Sequence, residues 1–376
     1  MTECSDNSQS PITISLCMIV KNEEQTIERC LRSVEGITDE IVIVDTGSSD
    51  KTKEIVGKFT DKIYDFEWIN DFAAARNYAF SQATQEYILW LDADDVFLPE
   101  DQANFSKLKS TLSRNFDVVS MLYNLGFDQY GKVTFQRRRN RLVKREKNFQ
   151  WLGAVHEYLE VYGNSLNSAI AVTHQPLSHD SDRNLRIYEQ RLQKGEKFSP
   201  RDLYYFANEL LDHRLFNRAI EYYQQFLATK QGWVEDNISA CSKLADCFYN
   251  LNDTENQLKY IYMSFRFSVP RAEFCCRLGF YHLNNNQLDQ AIFWYRLATQ
   301  ADKPADSWGM VNYACQTWLP HLQLCVCYSR AGQIRLAFEH NEIAGTFLPE
   351  DSRIQHNRAY LQNLLGTGET IPESKS

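Results

Sequence analysis

The sequence predicts two folds in series: an α/β domain with a parallel sheet, then an all-α array of helical repeats. Three observations predict it. From residue 13 to about 95, short apolar runs alternate with amphipathic segments of helical period. The acidic cluster Asp92-Ala93-Asp94-Asp95 closes that stretch at a strand end. Beyond about residue 200 the pattern turns to continuous helix with an internal repeat. The 376 residues suffice for two ordinary domains, and 43% apolar with 24% charged residues is a globular composition.

Ile14 to Val20 is the first strand, an unbroken apolar run. Asn22 is placed to cap the helix that follows, whose Ile27, Leu31 and Val34 keep helical spacing until Gly36 ends it. Glu40 to Asp45 is the second strand. Asp45-Thr46-Gly47-Ser48-Ser49-Asp50 then gives a turn and a capped helix with Ile55, Val56 and Phe59 on one face. A short strand, Lys62 to Asp65, precedes a helix from Asn70 to Thr84 with Ala75, Ala79 and Ala83 in one stripe. Tyr87 to Leu91 is a fully buried strand. Ligands bind outside the carboxyl ends of strands in open α/β sheets, so Asp45 and Asp92 to Asp95 are expected on one ligand-binding edge. Residues 117 to 175 are β-rich, with candidate strands at Val118 to Leu122, Val133 to Phe135 and Ala169 to Val172.

The helical half repeats itself. Phe206-Ala207-x-x-Leu210, Leu244-Ala245-x-x-Phe248, Leu278-Gly279-x-x-His282 and Leu324-Cys325-x-x-Tyr328 are each followed by a partner in a second helix: Ala219, Gln257, Ala291 and Ala337. The step from residue 244 to residue 278 is the 34-residue tetratricopeptide (TPR) period. Such helix pairs stack because none buries its own apolar face alone. Tyr204, Tyr205, Tyr222, Tyr223, Trp294 and Tyr295 recur at repeat-compatible positions and read as repeat core rather than a sugar-stacking platform. Arg353 to Leu365 is expected to cap the array.

A net charge of -9 argues against nucleic acid as the main partner. The N-terminus MTECSDNSQSP lacks the basic and apolar regions of a secretory signal, and ITISLCMIV is about half a membrane span in length. A cytoplasmic protein without a transmembrane segment is expected. The ten cysteines form no CxxC pairs, so reduced core thiols are expected, with Cys4 the candidate for an exposed, reactive one.

Two carboxylates one residue apart at a strand end suit a divalent cation, since Mg²⁺ and Mn²⁺ prefer hard oxygen ligands and a diphosphate fills the remaining positions. Taken alone, D-x-D-D is more often a solvated or helix-capping loop. Its context is more specific. The segments ISLCMIVKNEEQTIERCLRSV, EIVIVDTGSSDKT and DFAAARNYAFSQATQEYILWLDADD stand in the order and spacing of a glycosyltransferase of family 2, and residues 13 to 95 resemble the start of its GT-A domain. The resemblance extends to about residue 180. With its TPR-like tail, the chain is similar to a subgroup that includes lipopolysaccharide-core transferases and sublancin-type bacteriocin peptide glycosyltransferases.

The resemblance implies a GT-A nucleotide-sugar-binding domain followed by a TPR-like domain: residues 1–12 a disordered tail, 13–182 the catalytic domain, 183–200 a linker helix, 201–350 the repeats, and 351–376 a capping helix and tail. It implies inverting transfer from a nucleotide sugar, a UDP-hexose such as UDP-glucose, with Mg²⁺ or Mn²⁺ as cofactor. By the same resemblance Val20, Glu23, Asp45, Arg76, Asp92, Ala93 and Asp94 match the donor site. Many relatives end the second strand in two aspartates, whereas Thr46 stands second here. Asp94 matches the direct metal ligand, Asp92 lies nearer the ribose or beside the metal, and His174 after the sheet matches a third metal or phosphate contact. Asp95 and His179 are further candidates for the metal. Leu152-Gly153-Ala154-Val155-His156-Glu157 resembles the subgroup's VHE segment, which makes Glu157 the candidate base, with His156 orienting it or touching the diphosphate. The run Arg137-Arg138-Arg139-Asn140-Arg141 reads either as a solvated β-edge or as an anion site, with Arg137, Arg139 and Arg141 the acceptor-side candidates. The expected acceptor is a peptide Cys or Ser. A glycan or glycolipid, or no acceptor at all in an inert TPR scaffold, are the alternatives. The repeats are expected to hold the acceptor or a dimer mate.

Overall fold

The computed structural model describes residues 10–129, 131–177, 182–301 and 311–367. Cys4 and His179 lie outside the described residues. The chain divides into two compact units at Phe198 and Ser199. Among the described residues no helix is long and apolar enough to cross a membrane. The nine described cysteines are all buried and form no disulfide.

The first unit begins β1 (Ile14–Val20), α1 (Ile27–Arg32), β2 (Glu40–Asp45), α2 (Thr52–Val56), β3 (Ile63–Asp65), α3 (Phe72–Ser81) and β4 (Tyr87–Trp90). It continues with β5 (Asp95–Val96), α4 (Pro99–Thr111), β6 (Val118–Phe127), β7 (Val133–Lys144), β8 (Gln150–Leu152), β9 (Tyr158–Glu160), β10 (Ser165–His174) and α5 (Asp182–Gln193). The main sheet runs β3-β2-β1-β4-β7-β6-β10-β5. The first four strands in that order are parallel, and β7 lies antiparallel to both β4 and β6. Parallel pairing sets Val20 beside Asp45 and Cys17 beside Trp90, so the ends of β1, β2 and β4 open on one edge. Ile14, Leu16, Leu31, Ile43, Leu89 and Phe105 share the core beneath it.

Several local expectations change. Ile12 is not in a loose tail: its side chain is buried and its N–H donates to the Lys109 carbonyl at 3.2 Å. Asn22 does not cap α1. It adopts a positive φ of 56°, and its Oδ1 accepts the Ser49 N–H at 2.8 Å, because this loop must knit to the turn after β2. The third helix is shorter than expected: Asn70 is left-handed, and Asp71 caps it by accepting the Ala74 N–H at 2.9 Å. The strand expected at 133–135 runs on through the whole basic segment. β6 pairs with the run from Arg137 to Asn140, and Arg138 and Arg141 are buried, so the arginines do not form a solvated edge.

The second unit is all-helical, as its repeat predicts. Its helix pairs are α6 (Pro200–Asp212) with α7 (Phe216–Thr229), α8 (Val234–Asn250) with α9 (Thr254–Ser264), and α10 (Ala272–Asn284) with α11 (Leu288–Gln300). After a short α12 (Tyr313–Gln316) come α13 (Trp318–Arg330), α14 (Ile334–Phe347) and α15 (Ser352–Thr367). The small positions Ala207, Ala245 and Ala337 are fully buried, and Tyr223 and Tyr295 belong to the core.

Candidate active site

The loops after β1 and β4 border a cavity of about 630 Å³. Val20, Glu23, Arg76, Asp92, Ala93, Asp94, Arg139, His156, Glu157 and His174 line it. Asp45 lies at the end of β2, one residue before Thr46, which lines the cavity. Its Oδ1 accepts the N–H groups of Gly47 and Ser48, each at 2.9 Å, while its buried Oδ2 has no hydrogen-bond partner among the described residues. Glu23 is half-buried, with Oε2 accepting the Thr26 hydroxyl at 2.6 Å. Burial raises its pKa, against the lowering effect of that bond.

The acidic cluster is a tight turn in which the Asp95 N–H donates to the Asp92 carbonyl at 3.0 Å. Antiparallel pairing of β10 with β5 sets His174 opposite Asp95. Asp94, Asp95 and His174 thus bring their ligand atoms within 4.8 Å of one another. His174 Nδ1 lies 3.4 Å from Asp94 Oδ1, 3.5 Å from Asp95 Oδ1 and 3.0 Å from the Tyr123 hydroxyl. Burial works against a charged imidazole, but Asp94 and Asp95 outweigh it and raise His174 to about 9. Two carboxylates and an imidazole are ligands a divalent cation accepts, and the buried Asp95 Oδ1 has no hydrogen-bond partner among the described residues, so the trio fits a metal.

Asp92, expected beside the metal, is engaged elsewhere. Arg76 donates Nη2 to Asp92 Oδ1 and Nε to Glu157 Oε1, both at 2.6 Å. Burial disfavours the Asp92 charge, yet Arg76, then Arg141 and Arg139, more than offset it and hold its carboxyl well below the ordinary range. Arg76 therefore spends both edges of its guanidinium on carboxylates, where a nucleotide contact was expected.

The basic run also departs from expectation. Arg137, Arg139 and Arg141 alternate onto one face of β7 and stack on Tyr123, with ring-centroid distances of 5.8, 5.2 and 4.5 Å. Arg141 is fully buried, lies 4.0 Å from the Trp90 ring centroid and pairs with Asp95 Oδ2 at 2.9 Å. It cannot meet an acceptor; it offsets the acidic turn from beneath. Among the three, Arg139 lines the cavity and Arg137 does not.

Glu157 and His156 sit on the loop between β8 and β9, where Gly153 and His156 have φ of 98° and 51°. The His156 ring stacks toward Tyr188 of α5 at 6.5 Å and 20°. The helix expected as a linker over 183–200 is α5, and beyond linking it supplies Arg183, Asn184, Arg186, Ile187 and Gln190 to the cavity wall, a role the sequence does not assign to it. The signal was present in Arg183, Arg186 and Gln190, spaced to share one helical face.

Residues 15–161 match the family model described as glycosyl transferase family 2. A TPR repeat-containing protein of Synechococcus elongatus is 28% identical over 335 residues, covering 87% of this chain and 73% of that protein. The SPbeta prophage-derived glycosyltransferase SunS of Bacillus subtilis is 28% identical over 222 residues, 54% of this chain and 50% of its own length. The lipopolysaccharide core biosynthesis glycosyltransferase LpsC of Rhizobium meliloti is 28% identical over 167 residues, 42% of this chain and 60% of its own. The chain thus spans only part of the length of the two named glycosyltransferases.

Proposed function

We propose, from the premise that this chain is a glycosyltransferase built on a family 2 domain, that it moves a hexose from a UDP-sugar to a peptide side chain, Cys or Ser, with inversion. The observation that carries this reading is the meeting of Asp94, Asp95 and His174, of which Asp94 and His174 line the same cavity as Glu157. A divalent cation, Mg²⁺ or Mn²⁺, held by that trio would supply charge neutralisation for the departing diphosphate.

The protein's own groups do the rest. The buried Oδ2 of Asp45, which has no hydrogen-bond partner among the described residues, and the carboxylate of Glu23 accept hydrogen bonds from base or ribose. Arg183 and Arg186 bring cationic groups into the cavity that takes the diphosphate. Glu157 takes the proton from the acceptor as its oxygen or sulfur attacks the anomeric carbon, on the face opposite the leaving group. The bond from that carbon to the diphosphate breaks as the new glycosidic bond forms, so the configuration inverts.

The peptide acceptor is supported by the similarity to the sublancin-type subgroup, and the helical repeats are the proposed seat of that acceptor or of a dimer mate. A glycan acceptor is the second reading, favoured by the match to LpsC. Calorimetry with a panel of nucleotide sugars, with and without Mn²⁺, tests the donor side. A UDP-hexose should give heat that depends on the metal. No metal-dependent heat with any donor would point to an inert scaffold.

A further inference from the structure

We infer that Arg76 is a positioning residue that ties the candidate base Glu157 to the donor-side carboxylate Asp92, a role that rests on reading Glu157 as the base. The guanidinium is committed on two edges, with both bonds at 2.6 Å. Its plane is set by Trp90 and Trp151, whose ring centroids lie 5.0 and 4.8 Å from Cζ. The two indoles meet edge to face at 4.7 Å, closing the slot around it. A planar, permanently charged fork suits this place; a point charge does not.

The same helix also holds the backbone of the loop that carries Glu157. Asn77 accepts the Trp151 N–H at 2.8 Å and donates Nδ2 to the Trp151 carbonyl at 3.0 Å. The Phe72 N–H donates to the Ala154 carbonyl at 2.9 Å. Residues 153–157 lie outside both flanking strands, so no sheet ladder fixes the direction of the Glu157 carboxylate. α3 does so instead: Asn77 and Phe72 set the backbone and Arg76 sets the side chain. α3 is itself firmly seated, with Ala73, Ala75 and Ala79 buried. For Arg76 to turn toward a nucleotide it would have to leave two carboxylates within one cavity, a costly uncompensated charge.

The test uses the full chain with Arg76→Lys, which keeps the positive charge for folding but cannot span both carboxylates. UDP-glucose binding with Mn²⁺ is measured by calorimetry, and turnover is measured on a hydroxyl acceptor. The expected result is a donor Kd within about threefold of wild type and kcat lowered about 10²-fold. In a Glu157→Gln background, Arg76→Lys should cost less than about threefold more, because the group it positions is already disabled. A donor Kd raised tenfold or more (on the order of 1.4 kcal/mol) with kcat kept would overturn the inference, as would losses that multiply in the double variant. Asn77→Ala supplies a second route if Arg76→Lys does not fold: it should lower kcat and spare donor binding, and full kcat would overturn the inference. Wild-type kcat in Glu157→Gln alone, with donor binding intact, would refute the base reading instead, so the two failures are distinguishable.

Discussion

Two carboxylates in the first unit, Glu40 and Glu157, each carry a test of their own. Glu40 accepts hydrogen bonds from the Thr84 N–H and hydroxyl, both at 2.8 Å, and from Ser15, and it pairs with Lys62. Burial opposes its ionisation, but Lys62, Ser15 and Thr84 prevail and bring its pKa down to about 2. A group whose folded pKa is depressed stabilises the fold above its unfolded pKa and loses that contribution as pH falls toward the folded value. Glu40→Gln should cost roughly 1 to 3 kcal/mol at pH 7. The gap to wild type should narrow as pH falls from about 4.5 to 2, read from urea unfolding at a series of pH values. A gap that widened on acidification would contradict this. For Glu157 the consequence is chemical. A thiol loses its proton near pH 8.5 and needs little help, whereas a hydroxyl needs a base. Glu157→Gln should lower transfer to a Ser hydroxyl by about 10²-fold or more while sparing a Cys thiol. Equal losses on both acceptors would count against the base.

At the scale of elements, β1, β2 and β4 were legible because buried parallel strands are unbroken apolar runs, as in Ile14 to Val20. The trio of Asp94, Asp95 and His174 was legible only in part. The sequence points to His174 and the acidic cluster together, but the pairing of β10 with β5 that brings Asp95 rather than Asp92 to His174 joins residues remote in sequence. The fate of the basic run was not legible at all. Alternation told which arginines share a face, but not that Trp90 and Tyr123 on neighbouring strands would cover it. In the repeats the small positions were legible from spacing, and Gly279 gives them a sharp test. A Cβ there would meet the Tyr295 ring at 2.8 Å. Gly279→Ala should destabilise the helical unit by about 1 to 3 kcal/mol through overpacking, as thermal unfolding would report. An unchanged midpoint would mean that the α10–α11 contact yields more easily than its geometry implies.

At the scale of the whole molecule, each unit has its own buried core, one gathered around the sheet and one among the helix pairs. UDP-glucose with Mn²⁺ should raise the unfolding midpoint, by about 2.7 kcal/mol of stability at a hundredfold excess over Kd, as calorimetric scanning would report. An unchanged midpoint would contradict binding of the donor to the folded chain. The central claim is that Asp94, Asp95 and His174 hold the metal through which the donor binds. Titrating Mn²⁺ into the protein with UDP-glucose present, in wild type and in Asp94→Asn, tests it most directly. Metal-dependent donor binding is predicted in the wild type, weakened at least about tenfold in Asp94→Asn; equal binding in the two would contradict it.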